Sequence, residues 1–290
     1  MTVLIATDLD RTMIYSHSAI ELGGPSATEP VLRCVEHYDG SPLSFVTETG
    51  AALLRELTTV ATVVPTTTRT VAQFERIALP GAPWRYAITS NGGNILVDGV
   101  PDPQWRSQID TSIRSDGATL DEVTAELRTR VSDDWVRTFR TADELFCYLV
   151  VEPDAVPAGF LAQWHRWCRE RGWGASQQGR KIYTMPAPVS KGRAVAEVRA
   201  RLVADGTLAA DSLLLAAGDG ALDADMLVAA HAAIRPRHGE LESLNWQYPS
   251  VSVTESAGIA AGEEILRWFA RNLATAPDLL DTPTVRVHRA

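Results

Sequence analysis

Cysteine is scarce and unpaired in this sequence. Only Cys34, Cys147 and Cys168 occur, an odd number with no pair at metal-ligand spacing. A disulfide-stapled scaffold and a thiolate zinc site are excluded, and reduced, buried thiols in a cytosolic protein are the simplest reading. Long apolar runs are also missing. No stretch approaches the ~20 residues that a membrane-spanning helix needs. The opening run, residues 1–6, is too short for the apolar part of a signal peptide, and charge follows at once. A cytoplasmic location is therefore expected. Positive charge is in deficit, with 27 Lys and Arg against 36 Asp and Glu and a net charge of -9. Such a chain suits neither nonspecific nucleic-acid binding nor a membrane surface, because phosphates repel it. A small anionic ligand remains compatible, since a metal and a few cations can invert the field of one cleft. There is no internal repeat and no low-complexity tract. A Pro- and Thr-rich tail from Ala274 on is expected to be loosely held.

What is present is the patterning of a soluble α/β protein. Hydrophobic residues make up 45% of 290, enough for one large core and a smaller second unit. Residues 3–7 form a short β-branched and apolar run that stops at carboxylates. Similar runs at 60–65, 86–89 and 212–217 end in Thr66-Thr67-Thr68-Arg69, Ser90-Asn91-Gly92-Gly93 and Gly218-Asp219-Gly220. Helical patterns at 51–58, 191–204 and 224–232 lie among them. Strands alternating with helices predict a parallel sheet, whose ligands sit beyond the carboxyl ends of its strands. The polar residues after the four runs should therefore converge. The middle, about 98–188, reads as an inserted α+β unit. It holds Trp105, Trp135, Trp164, Trp167 and Trp173, strand-like runs at 146–151 and 181–185, and helical stretches at 120–131 and 157–171. Pro101-Asp102-Pro103 and Pro186-Ala187-Pro188 are plausible hinges. Asp39-Gly40, between runs at 31–38 and 41–47, predicts a β-hairpin.

The chemistry starts at Asp8 and Asp10. Residues i and i+2 point the same way on an extended segment, so both carboxylates can face one cleft. Two such carboxylates repel unless a cation lies between them, and a hard divalent cation such as magnesium takes oxygen ligands. Alone, the pair reads equally as solvated loop aspartates. The other strand ends shift that balance. Asp219 and Asp223 complete an acidic site, Thr67 offers a hydroxyl, Arg69 a nearby cation, and Lys191 opens a helix against its macrodipole. Something anionic should compensate that lysine. Arg69 reads as a substrate contact or a surface ion pair. Trp164 and Trp167, at i and i+3, read as packing rather than a platform. Lys181 and Tyr183 share one side of a strand and could face the cleft. His238 reads as part of a structural loop.

In these residues the sequence resembles the haloacid dehalogenase superfamily of phosphohydrolases. Asp8-x-Asp10-x-Thr12 after an apolar strand, Thr67, Ser190-Lys191-Gly192, and Gly218-Asp219 through Asp223 match its four motifs in order. Asn91-Gly92-Gly93 is similar to an element of the Cof-type and sucrose-phosphatase-like (IIB) branch, which carries a C2-type α/β cap between the second and third motifs. Thr68, Gly220 and Leu222 depart from the residues common there. Arg11 through Tyr15 and the long hairpin are similar to a bacterial subgroup from stress and tellurium-resistance gene neighbourhoods.

The resemblance implies a Rossmann-like parallel-sheet core over 1–97 and 189–290, with a hairpin flap at about 31–47 and a cap over 98–188. It implies that Asp8 is the nucleophile and Asp10 the general acid and base, with Thr67 and Lys191 holding the phosphoryl oxygens. Mg2+ would be bound by Asp8, the Asp10 backbone carbonyl, Asp219 and Asp223. Arg69, Asn91, Gly92, Lys181 and Tyr183 are the implied substrate contacts. The partner is then a small phosphorylated substrate, with no nucleic acid and no membrane, and the protein a monomer or homodimer. A phosphomutase sharing the nucleophile, and a catalytically weak phospho-ligand-binding module, are the competing readings.

Overall fold

The structure, a computed structural model, describes residues 3–21 and 30–274; residues 1–2 of the opening run and the tail after Ala274 lie outside them. Its centre is a five-stranded parallel sheet in the order Val251–Val253, Ala232–Arg235, Leu214–Ala217, Val3–Thr7 and Ala61–Pro65. Val3–Thr7 is an interior strand, between Leu214–Ala217 and Ala61–Pro65, and is buried along its whole length. Its side chains alternate between the two faces, as a strand requires. Leu4 and Ala6 join Val64, Leu214 and Ala216 in one core, which the helix Lys191–Ala204 covers through Ala194, Val195, Val198 and Leu202. Val3 and Ile5 join Val63, Leu213 and Leu215 in the other, covered by Glu48–Val60 and Ile259–Ala274 through Leu54, Leu57, Ile265 and Phe269. Both faces are covered, which is why the strands read as continuous apolar runs.

Three expected elements differ in detail. Tyr86–Thr89 is not a rung of the parallel ladder. It opens a three-stranded antiparallel meander with Asn94–Val97 and Val100–Pro101. One parallel bridge, Thr66 to Ile88, ties it to the main sheet. Ser90, Asn91 and Gly92, at φ 52°, 57° and 96°, turn the chain straight back, so no crossover helix can follow. The helix expected over 224–232 stops at Ala229, because Ala232–Arg235 pairs with Leu215–Ala217 and sheet pairing overrides the alanine-rich helix propensity. The helix expected over 51–58 is longer at both ends. Thr47 starts it, its Oγ1 accepting the Gly50 N–H at 2.9 Å.

The middle of the chain builds a four-stranded antiparallel sheet in the order Trp173–Gln178, Lys181–Pro186, Phe146–Val151 and Val136–Ala142. It is accompanied by the helices Pro103–Asp116, Leu120–Arg130 and Phe160–Arg169. The tryptophans pack it. Trp164 is fully buried, donates to Thr184 Oγ1 at 2.9 Å and stacks on Trp167 with centroids 4.8 Å apart. Trp173 Nε1 donates to the Ala118 carbonyl at 2.8 Å, and Trp105 Nε1 to the Gly92 carbonyl at 2.9 Å. Asp102, in the first expected hinge, caps a helix and pairs with Arg201 at 2.5 Å. The hairpin forms as expected, Leu32–Tyr38 with Ser41–Thr47, and Asp39 and Gly40 take φ 50° and 75° at its turn. Among the described residues no helix is long and apolar enough to cross a membrane.

Trp164→Ala removes a fully buried indole packed under the antiparallel sheet. It is expected to cost about 3–5 kcal/mol in equilibrium urea unfolding. An unchanged midpoint would show that the indole is not a packing element.

Candidate active site

The parallel ladder delivers Asp8 to the carboxyl edge of the sheet, where its N–H donates to the Ala217 carbonyl at 2.9 Å. The turn after Leu214–Ala217 brings Asp219 and Asp223 beside it. Oxygens of Asp8, Asp219 and Asp223 lie within 4.8 Å of one another, and all three residues are buried. Lys191 enters from the first turn of its helix. Its Nζ donates to Asp8 Oδ1 at 2.6 Å and to Asp223 Oδ1 at 2.5 Å. A buried ammonium at a helix start opposes the macrodipole, and these two carboxylates compensate it. Burial works to lower the Lys191 pKa, but Asp223 and Asp8 outweigh it and raise it.

One ammonium does not neutralise three carboxylates. Burial pushes the Asp8 carboxyl up to about 7; Lys191 opposes that shift, while Asp223 and Asp10 add to it. Asp219 is driven well above the usual carboxylate range by burial, then by Asp8 and Asp223. Its Oδ1 accepts from Gln178 Nε2 at 3.2 Å, but its buried Oδ2 has no hydrogen-bond partner. An orphaned, buried carboxylate oxygen among like charges is what a hard divalent cation relieves, so the donor set fits such a cation.

Asp10 leaves this cluster. Its half-exposed carboxylate is held by the fork of Arg69, with Nε and Nη2 at 2.7 and 2.8 Å. Burial would raise the Asp10 pKa, and the Arg69 charge and hydrogen bonds outweigh it, leaving it lowered. Arg69 is no surface pair. Its Nη1 donates at 2.7 Å to the buried Glu36 on the hairpin, which also takes Arg76 at 3.1 Å and the Ser44 hydroxyl at 2.7 Å. Thr67 is buried, and its Oγ1 accepts the Arg69 N–H at 3.1 Å. His238 is structural, as expected. Its Nδ1 accepts the Gly258 N–H at 3.1 Å, so the Nε2 that lies 2.8 Å from the Arg11 carbonyl is the donor.

The expected substrate contacts separate into two places. Lys181 and Tyr183 line a cleft of about 260 Å³ with Asp10, Arg11, Arg69 and Tyr148. Asn91 and Gly92 do not line it. Asn91 is buried with Nδ2 donating to the Val189 carbonyl at 3.2 Å, and a Cβ on Gly92 would lie 2.2 Å from the Ser190 carbonyl oxygen. They brace the turn that presents Lys191, which a left-handed glycine backbone alone permits.

The sequence matches no family profile and no curated protein sequence. Solved structures do match. The sucrose-phosphatase from Synechocystis, in complex with sucrose and phosphate, superposes with a TM-score of 0.64 at 16% identity, covering 93% of this chain and 98% of that one. A trehalose-6-phosphate phosphatase related protein gives 0.54 at 18% identity, over 94% and 99%. A sugar phosphatase of haloacid dehalogenase subclass IIB gives 0.54 at 10% identity, over 93% and 99%. This chain has the haloacid dehalogenase fold.

Within that fold, several residues at the site carry little local signal in the sequence. Glu36 is a single carboxylate in a polar hairpin, and only its pairing across the fold with Arg69 makes it part of the site. Gln178 reaches Asp219 from the antiparallel sheet, and Asp225 receives the Ser190 hydroxyl and the Gly192 N–H beside Lys191.

Asp219→Asn removes a buried charge that nothing in the chain pairs fully. The metal-free variant is expected to melt a few degrees above wild type at pH 8, because burial raises the Asp219 pKa in the folded chain and its carboxyl ionises more readily on unfolding. Magnesium should raise the wild-type Tm and leave the variant's unchanged. A magnesium-insensitive wild type would remove Asp219 from any metal site.

Proposed function

We propose that the protein is a magnesium-dependent phosphomonoesterase of a small phosphorylated metabolite, a sugar phosphate or nucleotide, working through an aspartyl-phosphate on Asp8. The observation that carries this reading is Asp8 itself: buried at the carboxyl end of Val3–Thr7, paired with Lys191 at 2.6 Å, within a cluster of three carboxylates that this one ammonium only partly neutralises. The phosphatase part of the reading is supported by solved phosphatases that share this fold.

Asp8 attacks phosphorus, forming an Oδ–P bond as the ester P–O bond breaks. Asp10 gives its proton to the leaving oxygen, then takes one from the water that attacks phosphorus and frees phosphate and Asp8. Arg69 holds the Asp10 pKa low, so Asp10 takes up from solvent, as the ester binds, the proton that it then gives to the leaving oxygen. Lys191 and the Thr67 hydroxyl hold phosphoryl oxygens, and Lys191 keeps Asp8 oriented. Asp8, the Asp10 carbonyl, Asp219 and Asp223 would hold magnesium, which when bound screens the phosphoryl charge. We assign residues 98–188 as a cap over a core of 1–97 and 189–290, excluding macromolecular substrates. Nucleic acid and membrane are not partners in this reading. The protein works in the cytoplasm as a monomer or homodimer.

The test is release of phosphate from p-nitrophenyl phosphate with magnesium present, lost on chelation and inhibited by calcium. Asp8→Asn is expected to abolish it with the circular-dichroism spectrum intact, and Thr67→Ala to lower kcat on the order of 10²-fold. Undiminished turnover by Asp8→Asn would sink the mechanism.

A further inference from the structure

The cleft beside Asp10 holds more positive charge than a phosphoryl group alone requires. Five charged residues line it: Asp10, Arg11, Arg69, Arg180 and Lys181. Two of the cations are already committed. Arg69 is taken by Asp10 and Glu36, and Arg180 by Glu152 at 2.8 Å. Arg11 and Lys181 are not. Among the described residues neither side chain has a hydrogen-bond or ion-pair partner, and the Lys181 ammonium stands 5.7 Å from the centre of the Tyr148 ring.

Arg11 is aimed there by its backbone. It sits at φ 61°, a left-handed conformation that costs a non-glycine residue about 1–2 kcal/mol. The fold holds it so through the His238 Nε2 bond to its carbonyl at 2.8 Å and its own N–H bond to the Ile14 carbonyl at 2.8 Å. Its guanidinium then lies under the turn that joins Trp173–Gln178 to Lys181–Pro186. A Cβ on Gly179 in that turn would come within 3.0 Å of Arg11 Nη2, so the glycine leaves it room. One cation rises from the parallel sheet and one descends from the antiparallel sheet, with Tyr148, Tyr183 and Phe146 forming an apolar wall. Asp10 lines the same cleft, so the pair sits beside the residue proposed to act on the leaving oxygen. Two unpaired cations in the cleft would weaken binding of a neutral leaving group that desolvates them and strengthen binding of an anionic one.

We propose that Arg11 and Lys181 form a second anion subsite, so that the preferred substrate is a phosphomonoester whose leaving group carries another anionic group, a carboxylate or a second phosphate. This inference rests on the phosphatase reading given above. It is tested with matched ester pairs and magnesium: glucose 6-phosphate against 6-phosphogluconate for a carboxylate, and fructose 6-phosphate against fructose 1,6-bisphosphate for a second phosphate. p-Nitrophenyl phosphate serves as the activity reference.

For wild type, kcat/KM is expected to favour the anionic member of at least one pair by about 10-fold or more, chiefly through KM. Which pair shows the preference tells carboxylate from phosphate. Lys181→Met and Arg11→Met should each bring that ratio close to one, whereas damage to the fold would lower both members of a pair alike. Hydrolysis of p-nitrophenyl phosphate with neither anionic member preferred overturns the subsite and leaves the phosphatase reading standing. A preference that survives both substitutions overturns the assignment to these residues. No hydrolysis of any ester, with a folded protein and magnesium present, overturns the phosphatase reading and this inference with it.

Discussion

Lys191 is the charge around which the catalytic end of the molecule is arranged. It is fully buried, at the start of a helix where the dipole disfavours it, and it is tolerated because Asp8 and Asp223 meet it at 2.6 and 2.5 Å. Those two aspartates come from different strand ends, so the pairing ties the helix, the strand Val3–Thr7 and the turn after Leu214–Ala217 to one point. Gly92 packs against the Ser190 carbonyl because that helix start must be presented there. The surplus negative charge left at Asp219 follows from the same geometry, as does the fit to a divalent cation.

From that point a chain of ion pairs runs outward. Asp10, two residues from Asp8, takes Arg69; Arg69 takes Glu36; Glu36 takes Arg76 and Ser44. The hairpin is thereby bound to Asp10 through Arg69 and the buried Glu36 carboxylate rather than through apolar packing alone. Truncating one partner of such a network leaves another charge unpaired in a poorly solvated place, so the members act as a unit. The hairpin is therefore part of how the site is held.

Much of this was legible in the sequence, and for a physical reason. A β-branched run that ends in carboxylates marks a buried strand with chemistry at its carboxyl edge, and the runs at 3–7 and 212–217 did so. A lysine set against a helix dipole marks a missing anion, and Lys191 did so. Legibility failed where contact partners are far apart in the chain. Glu36 and Arg69 are separated by 33 positions, and nothing local in either announces the other. It failed again where backbone sign decides direction. Ser90 and Asn91 at positive φ turn the run at 86–89 into a meander, and Arg11 at φ 61° aims into the cleft. Asn91 and Gly92 keep the residue types expected of a substrate contact while serving as a brace.

The central claim, that Asp8 is a covalent nucleophile, is most directly tested by mixing the protein with magnesium and p-nitrophenyl phosphate, quenching in acid during turnover, and mapping phosphorylated peptides by mass spectrometry. One phosphoryl group on the peptide containing Asp8, absent from Asp8→Asn, is the predicted result. Steady turnover with that peptide unmodified throughout, or with the phosphoryl group on another residue, would contradict it.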